Sequence, residues 1–562
     1  MHTARRLYVY LLSGISLGVL VAGLSMLLGL LLENLGLGPS GASLFDDGEA
    51  VRERLTLATA MTAVALPLWL GHWTAAERSV RPERADAADE RTSDVRGLYF
   101  AAAMGILLIV AAGSLSSIVR EWIYAAGSVE TFRTGGIGSD LALLLVAGAA
   151  WVYHVTLRSR DWARGPMVGG GAALPRAYLY VALLAGLWSF LTGFTGLIEL
   201  AGRALLGDTG PGEAFAPEAW WAYPLADAVT GMAVGGAIWI GHAWYAGRLL
   251  RDEGWRGASE RPARLRLAYF VGAIISTAIA TIYLAGDGVR HALEAAFGVA
   301  DASGAPLAGL ILLPLLSSLA FGLAWYLHAR RLEEEAEAFA IPGRIATVER
   351  LRCYAEVLVG LGFGAVSLAW LVGLVLDLLT GDGGVLVGAD SYRQELARCV
   401  PLLLLGAGVW IWRWREAALR STVDPAREAG STVRRAALLI VLAAAVLASV
   451  ASLGYVLYRL FGALFGVSAT GDVSSELSRA IGVLVVAAAV AVYHGAQLRR
   501  DQALRAASAS VGAPTAEAPA SASVLLRVRG PMGMDEATLV ATVQRGLPGG
   551  EVSVVAEAPP AS

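Results

Sequence analysis

Twelve apolar segments of about 20 residues recur along residues 1–505, and they constrain this chain more than any other feature. A helix of that length spans the hydrocarbon core of a bilayer, which is about 30 Å thick. The strands of a membrane barrel would instead alternate apolar and polar residues, and these segments do not alternate. Charged residues make up 16% of the chain, against about 25% in a soluble protein. The sequence therefore predicts an all-α, polytopic transmembrane helical bundle.

A Trp-x-x-His motif followed by arginine closes every second apolar segment. Its last positions lie 82, 88, 86, 85 and 81 residues apart, at His72, His154, His242, His328, Arg413 and His494. The tryptophans of the motif are Trp69, Trp151, Trp239, Trp325 and Trp410. The segment before each motif opens with Arg and Tyr, at Tyr8, Tyr99, Tyr178, Tyr269 and Tyr354. Such regularity predicts six repeated helical hairpins.

Charges near the far end of each hairpin's first helix alternate in sign. The odd hairpins carry Glu33, Glu199 and Asp377, and the even ones carry Arg120, Arg290 and Arg459. This alternation favours a four-helix unit present three times, with the ion pairs Glu33–Arg120, Glu199–Arg290 and Asp377–Arg459. The alternative is six independent charges near a membrane interface.

The domain boundaries follow from these repeats. We expect four-helix membrane units at residues 1–165, 166–343 and 344–505. An Ala/Ser/Pro-rich linker is expected at 506–522, and a small cytoplasmic tail with a β-α-β-like pattern at 523–562.

The arginines predict how the helices are oriented. All 44 basic residues are arginine; 31 lie toward the segments between hairpins or at the ends of residues 1–505, and 10 lie toward the loops within hairpins. Basic residues accumulate on the cytoplasmic side of membrane proteins. We therefore expect a multi-pass protein of the bacterial cytoplasmic membrane with both termini in the cytoplasm.

The Trp-x-x-His motif allows two interpretations. Trp, His and Arg all favour the membrane interface, which makes the motif an interfacial anchor copied with the repeat. Brought together, five imidazoles and one guanidinium would instead bind anionic headgroups or respond to pH. Because the histidines are scattered, with no local Cys or acidic partner, the sequence predicts no metal site and no cofactor.

Small residues predict where helices approach closely. A small-xxx-small spacing lets two helix backbones meet, and it occurs at Gly14 and Gly18, Gly231 and Gly235, and Gly360 and Gly364.

The opening "RRLYVY", the hairpin and the closing "WVYHVTLRSR" together resemble a bacterial family of four-helix membrane domains, domain of unknown function 5671. The resemblance covers residues 1–505 as tandem copies. It implies a multi-pass membrane protein and no particular activity. Arg413, Ala437 and Ala491 depart from the motif in the last two hairpins.

Three functions remain open from the sequence. The leading hypothesis is a non-enzymatic integral membrane protein that acts as a scaffold, lipid-interacting protein or accessory subunit, because no reactive groups are found in the apolar segments. The second is a transporter or channel with a path between repeat units, and the third is a haem or quinone redox protein. The expected partners are membrane lipids, other membrane subunits or a second copy of the chain, and no nucleic acid.

Overall fold

Long helices dominate the structure, a computed structural model that describes residues 2–37, 48–127, 137–207, 220–299, 305–339, 341, 343–380, 390–465 and 473–511. Within these ranges the chain forms helices and turns and contains no strand. Twelve of the helices are long and apolar enough to cross a membrane. The predicted fold class, a helical bundle with repeated hairpins, is confirmed. Residues 1–505 form one compact unit, and residues 506–562 are assigned to a second.

Fifteen α-helices follow one another in the described ranges. They are α1 (His2–Leu32), α2 (Gly48–Ser79), α3 (Ala87–Arg91), α4 (Asp94–Ala126), α5 (Ile137–Ala163), α6 (Gly169–Leu206), α7 (Ala222–Arg251), α8 (Trp255–Glu260), α9 (Arg264–Ala296), α10 (Leu307–Ala338), α11 (Arg344–Thr380), α12 (Asp390–Val423), α13 (Pro425–Gly430), α14 (Thr432–Leu464) and α15 (Val473–Val511). A π-helical turn, Glu33–Leu37, extends α1.

The three short helices recur once for every two hairpins. Helix α3 lies between the first and second hairpins, α8 between the third and fourth, and α13 between the fifth and sixth. We call the end of the bundle where they lie the linker end, and the opposite end the loop end. The recurrence gives the chain a period of four long helices, which we number as units 1, 2 and 3.

Consecutive units pack through the same helices. The third long helix of unit 1, α4, contacts α6 and α7 of unit 2. In the same way α9 of unit 2 contacts α11 and α12 of unit 3. The third long helix of units 1 and 2 therefore packs on the first hairpin of the following unit.

Local signals set the ends of several helices. The Ser93 hydroxyl accepts a hydrogen bond from the Arg96 backbone N–H and caps α4, as serine at an N-cap often does. The Asp424 carboxylate accepts one from Arg427 at the start of α13. Helix α6 ends at Gly207, whose φ of 68° lies in the left-handed region that favours glycine.

Glycine allows α6 and α7 to meet backbone to backbone. A Cβ atom at Gly193 would lie 2.2 Å from the Met232 nitrogen, and one at Gly235 would lie 2.6 Å from the Phe190 nitrogen. The close approach predicted for the glycine pair of α7 is therefore present.

The other two predicted glycine pairs differ from each other. A Cβ atom at Gly360 would lie 2.6 Å from the Trp410 nitrogen, so α11 and α12 are in close contact. At Gly14 the nearest atom, on the Tyr99 ring, would be 3.9 Å away, and at Gly18 nothing lies within 4 Å. The prediction is wrong for this pair, because the face of α1 that carries both glycines packs on no neighbouring backbone.

The C-terminal predictions lie mostly outside the described residues. Residues 512–562, which include the expected tail, are not described. Helix α15 continues to Val511, so the first six positions of the expected linker are helical.

Adding a methyl group at Gly193 tests the contact between α6 and α7. We expect Gly193→Ala to lower the melting temperature in detergent, because overpacking of a tight contact costs about 1–3 kcal/mol. The control is Gly241→Ala on α7, where an added Cβ meets nothing within 4 Å. Equal melting temperatures for both variants would contradict the close approach.

Candidate functional site

A buried network of five polar side chains lies at the linker end of unit 2. Arg176 on α6 donates to Glu260 on α8 over 2.7 Å, and the Tyr180 hydroxyl donates to the same carboxylate over 2.5 Å. Arg266 on α9 donates to the Tyr180 oxygen over 3.3 Å. Its Nε also donates to Glu335 on α10 over 2.8 Å. The network thus ties four helices together.

The same network recurs in units 1 and 3. The Arg–Tyr–Glu–Arg–acid members are Arg6, Tyr10, Glu90, Arg96 and Asp161 in unit 1, and Arg350, Tyr354, Glu428, Arg434 and Asp501 in unit 3. The second arginine is only 1%, 6% and 4% exposed at Arg96, Arg266 and Arg434. Because a buried guanidinium is tolerated only when its charge and donors are matched, each unit depends on its network.

A second chain of hydrogen bonds begins at the tryptophan of the motif. Trp151 Nε1 donates to the Tyr178 hydroxyl oxygen over 2.9 Å, and that hydroxyl lies 2.9 Å from His242 Nε2. His242 Nδ1 lies 2.8 Å from the Ile238 carbonyl, which can only accept. Nδ1 therefore carries a proton, and Tyr178 donates to Nε2 when the imidazole is neutral.

Complete Trp→Tyr→His chains join the second hairpin to the third and the third to the fourth. Trp239 of the third hairpin donates to Tyr269 of the fourth over 3.3 Å, and Tyr269 lies 3.0 Å from His328. In the second hairpin, Tyr99 lies 2.9 Å from His154. The four histidines His154, His242, His328 and His494 are all 8% exposed or less. The motif thus links hairpins inside the bundle, a role that neither sequence interpretation described.

The fifth hairpin replaces this chain with an ion pair. Arg413 stands in the place of the histidine and contacts Glu356 on α11. Trp325 of the preceding hairpin donates to Glu356 over 2.9 Å, as its counterparts donate to tyrosine. The apparent defect at Arg413 is therefore matched by a second change at Glu356.

The register of Tyr354 corrects the sequence alignment. Tyr354 donates to Glu428 over 3.0 Å and accepts from Arg434 over 3.0 Å. It therefore corresponds to Tyr180 in the network and not to Tyr178 in the Trp→Tyr→His chain. The equivalent of Tyr178 is Arg352, because "RLRCY" carries its tyrosine two positions later than expected.

The first and last hairpins lack parts of the chain. In the sixth hairpin Ala437 replaces the tyrosine, and the buried Trp410 Nε1 and His494 Nε2 find no hydrogen-bond partner among the described residues. In the first hairpin His72 is exposed, and its ring meets Tyr8 edge-on at 5.6 Å.

The predicted ion pairs at the loop end are wrong. Glu33 pairs with Arg54 at 3.0 Å, Arg120 with Asp227 at 2.9 Å, and Glu199 with Arg203 at 2.6 Å. Arg290 pairs with Asp287 at 2.8 Å, and Arg459 contacts Glu476. Among the described residues no ion pair joins Asp377 to Arg459. Oppositely charged residues on the same helix, on the hairpin's second helix or, for Arg120, on α7 of unit 2 pair with these five charges in place of the expected partners.

Unit 2 contains a cavity of about 730 Å³ beside its network. Aromatic side chains form much of its wall, at Phe190, Phe194, Trp239, Tyr269 and Phe270. Arg266, Glu335 and His328 lie at its polar end. Leu323 and Leu327 line it as well and are 58% and 51% exposed, so the cavity opens on the flank of the bundle.

Aromatic side chains occupy the equivalent position in the other two units. In unit 1, Trp73 donates to Tyr153 over 2.7 Å and its ring stacks on Tyr99 at 5.0 Å. In unit 3, Trp414 donates to Tyr493 over 2.6 Å. Unit 2 carries Ala243 and Leu327 at these two positions, and both line the cavity. Part of the cavity therefore lies where units 1 and 3 carry a Trp–Tyr pair; unit 3 keeps a smaller cavity, of about 360 Å³, farther from its network.

Sequence reasoning missed the network acids and the cavity. The glutamates Glu90, Glu260 and Glu428 lie in the short linkers, 170 and 168 residues apart. Aligning the chain at this longer period would have found them, since each follows an Arg-x-x-x-Tyr opening by about 80 residues. Within the described residues, no group of three His, Cys, Asp or Glu side chains is placed to hold a metal ion.

A family model with the description "Domain of unknown function (DUF5671)" matches the chain three times, over residues 6–149, 176–327 and 350–489. The matches begin at Arg6, Arg176 and Arg350, the first arginine of each network. No curated protein and no solved structure matches the chain.

Removing one member of the network should destabilise the protein more than removing two. We expect Glu335→Leu to cost about 3–5 kcal/mol, because the buried Arg266 loses its carboxylate. The double variant Arg266→Leu/Glu335→Leu should lose less. Thermal melting in detergent measures both.

The matched control lies one residue away, at Glu334. Its side chain is 47% exposed and pairs with the exposed Arg330 on the same helix, so Glu334→Leu should change the melting temperature little. A double variant less stable than Glu335→Leu would contradict the coupling.

Proposed function

The chain belongs to the family described as Domain of unknown function (DUF5671), in three tandem copies, and from that premise we propose a binding function. The protein is a non-enzymatic, multi-pass membrane protein that binds a ring-bearing apolar molecule from the membrane. The binding site is the cavity of unit 2. Units 1 and 3 supply the rigid scaffold around it.

One observation carries this proposal: units 1 and 3 carry a tryptophan and a tyrosine at the two positions that are Ala243 and Leu327 in unit 2, where both line the cavity. Trp73 is 3% exposed and packs against Tyr99, Phe100 and His154. The equivalent residues of unit 2, Tyr269, Phe270 and His328, line the cavity. Because protein interiors are close-packed, an open space at a position that the repeat otherwise fills favours a ligand.

The filled units indicate the chemistry of the ligand. An indole ring and a phenol ring occupy the site in unit 1, and Arg96 lies 5.8 Å from the centre of the Trp73 ring. Arg266 is the corresponding guanidinium at the cavity. A planar ring would stack on Tyr269 as Trp73 stacks on Tyr99, with Arg266 near its edge or face. An apolar chain would leave between Leu323 and Leu327 toward the lipid.

The closed hydrogen bonds argue for binding rather than for redox chemistry on haem. His242 and His328 each use both ring nitrogens, one toward a tyrosine hydroxyl and one toward a backbone carbonyl. Ligation of an iron would require either bond to break. The networks likewise pair their charges internally, which supports a structural role for them.

The cytoplasmic membrane is the proposed location, with both termini in the cytoplasm. The proposal rests on the arginine distribution, since 31 lie toward the linker end and 10 toward the loop end. In this orientation the network and the polar end of the cavity face the cytoplasmic leaflet.

Filling the cavity tests the binding function. We expect Ala243→Trp/Leu327→Tyr to fold, because units 1 and 3 carry this pair, and to lower affinity for a prenylated naphthoquinone at least tenfold. Squalene, which has no ring, is the control ligand. Native mass spectrometry and the ligand-induced rise in melting temperature measure binding to the full-length protein.

A second variant, expected to gain binding, separates loss of the site from misfolding of the first variant. Trp73→Ala/Tyr153→Leu opens the same place in unit 1 and should raise the stoichiometry toward two. Wild-type binding by the filled variant would contradict the proposal. If the protein in proteoliposomes carries a selective solute flux, and if Ala243→Trp/Leu327→Tyr abolishes that flux, the function is transport rather than binding.

Cysteine labelling of intact cells tests the orientation. In a background without Cys353 and Cys399, we expect an impermeant maleimide to label Leu205→Cys and Ala296→Cys at the loop end. Arg84→Cys and Ala426→Cys at the linker end should react only after permeabilisation. All four positions are exposed in the structure. Labelling of the second pair alone in intact cells would reverse the topology.

A further inference from the structure

A buried arginine with an unmet hydrogen-bond donor lies at the junction of units 1 and 2. Arg158 on α5 is 7% exposed, and its Nη2 donates to the Gly171 carbonyl over 2.9 Å. Its Nε is buried and finds no hydrogen-bond partner among the described residues. Within the same residues, no carboxylate lies within ion-pair distance of this guanidinium. Such a charge is costly to bury without compensation.

The repeat shows that the scaffold does not require this arginine. Arg158 lies one helical turn after the histidine of its motif. The other five hairpins carry buried apolar residues there, Ala76, Ala246, Leu332, Ala417 and Leu498. The second hairpin therefore departs from the repeat by placing a positive charge at an apolar position.

The nearby acids are already engaged. Asp161, one turn further along α5, pairs with Arg96 at 2.6 Å. Glu260 pairs with Arg176 at 2.7 Å. Neither acid is thus left for Arg158. Its guanidinium carbon lies 5.5 Å from the centre of the Trp162 ring, a cation–π contact that leaves the positive charge without a paired anion among the described residues.

Arg158 lines a second cavity, of about 490 Å³, between α4, α5, α6 and α7. Its wall is largely apolar, with Leu108, Leu144 and Leu179, and its polar end also holds Arg176 and His242. Trp244 lines the cavity and is 59% exposed, so the cavity opens on the flank of the bundle. It shares no lining residue with the cavity of unit 2.

We propose that this inter-unit cavity binds an anionic membrane lipid, with the headgroup on Arg158 and an acyl chain along the apolar wall. An arginine fork binds phosphate or carboxylate oxygens through two N–H groups, which satisfies the free Nε. Arg158 lies near the linker end of α5, the depth at which headgroups meet a helix that spans the membrane. The bound lipid joins unit 1 to unit 2.

The test compares lipids and variants on the full-length protein purified in detergent. We expect phosphatidylglycerol to raise the melting temperature and to be retained in native mass spectra, with phosphatidylcholine at least tenfold weaker. Inorganic phosphate alone should not compete, because it lacks the acyl chain. Equal binding of phosphatidylcholine, or competition by free phosphate, would overturn the proposal.

Variants at Arg158 assign the headgroup contact. Arg158→Leu should reduce phosphatidylglycerol binding at least tenfold and should fold, since leucine occupies the equivalent position in two other hairpins. Arg158→Gln is a second, polar variant with the same expected loss. The matched control is Arg160→Leu, an exposed arginine on the same helix, which should bind as the wild type does. Wild-type binding by both Arg158 variants would overturn the assignment, whatever the behaviour of the cavity in unit 2.

Discussion

The structure depends on one constraint, the matching of buried arginine charge in a protein built of apolar helices. Arg96, Arg266 and Arg434 each lie inside the bundle, and each donates to one tyrosine and to at least one carboxylate. Removal of either partner would leave a charge or a donor unmet where water is scarce. Because the tyrosine also binds the glutamate of the short helix, the linker between hairpins is fixed by the same network. The packing of the helices in a unit and the position of its linker helix therefore depend on the same network.

Because the unit is present three times, each copy can be compared with the other two. The positions where the units differ are the most informative about function. A scaffold requires only what all three units share, namely the network and the close helix contacts. Ala243 and Leu327 remove two rings from one unit, and Arg158 adds a charge to one hairpin. Neither change improves packing, since the first leaves a cavity and the second buries an unpaired guanidinium. Changes that cost stability without structural benefit are expected at binding sites.

The sequence was sufficient for the architecture and insufficient for the partners of individual side chains. Helix length and the spacing of the motif depend on bilayer thickness and on duplication, which act on many residues at once. Partner choice depends on ångström-scale distances, and this is why Glu33 meets Arg54 rather than Arg120. The network was not predicted because a period of 80-odd residues aligns each hairpin with the next one. Glu90 and Glu260 recur only with every second hairpin, so this alignment does not match them. Tyr354 was aligned with Tyr178 for the same reason. Comparison of single hairpins does not show whether a tyrosine belongs at the position of Tyr178 or at that of Tyr180.

The compensating changes in unit 3 show how far the Trp→Tyr→His chain can vary. Between units 1 and 2 the link is Trp151 to Tyr178, and between units 2 and 3 it is Trp325 to Glu356. Glu356 replaces the phenol as the acceptor of the indole hydrogen bond. Arg413 replaces the imidazole that lies next to the phenol in the other units. An acceptor for the indole N–H is kept although both of the other groups changed. In α15 the residue at the tryptophan position is Ala491. Unit 3 therefore has no indole at the position that joins units 1 and 2 to the following unit. The hydrogen bond from tryptophan is retained between units. The group that accepts it and the residue that pairs with that group can change together, from tyrosine and histidine to glutamate and arginine.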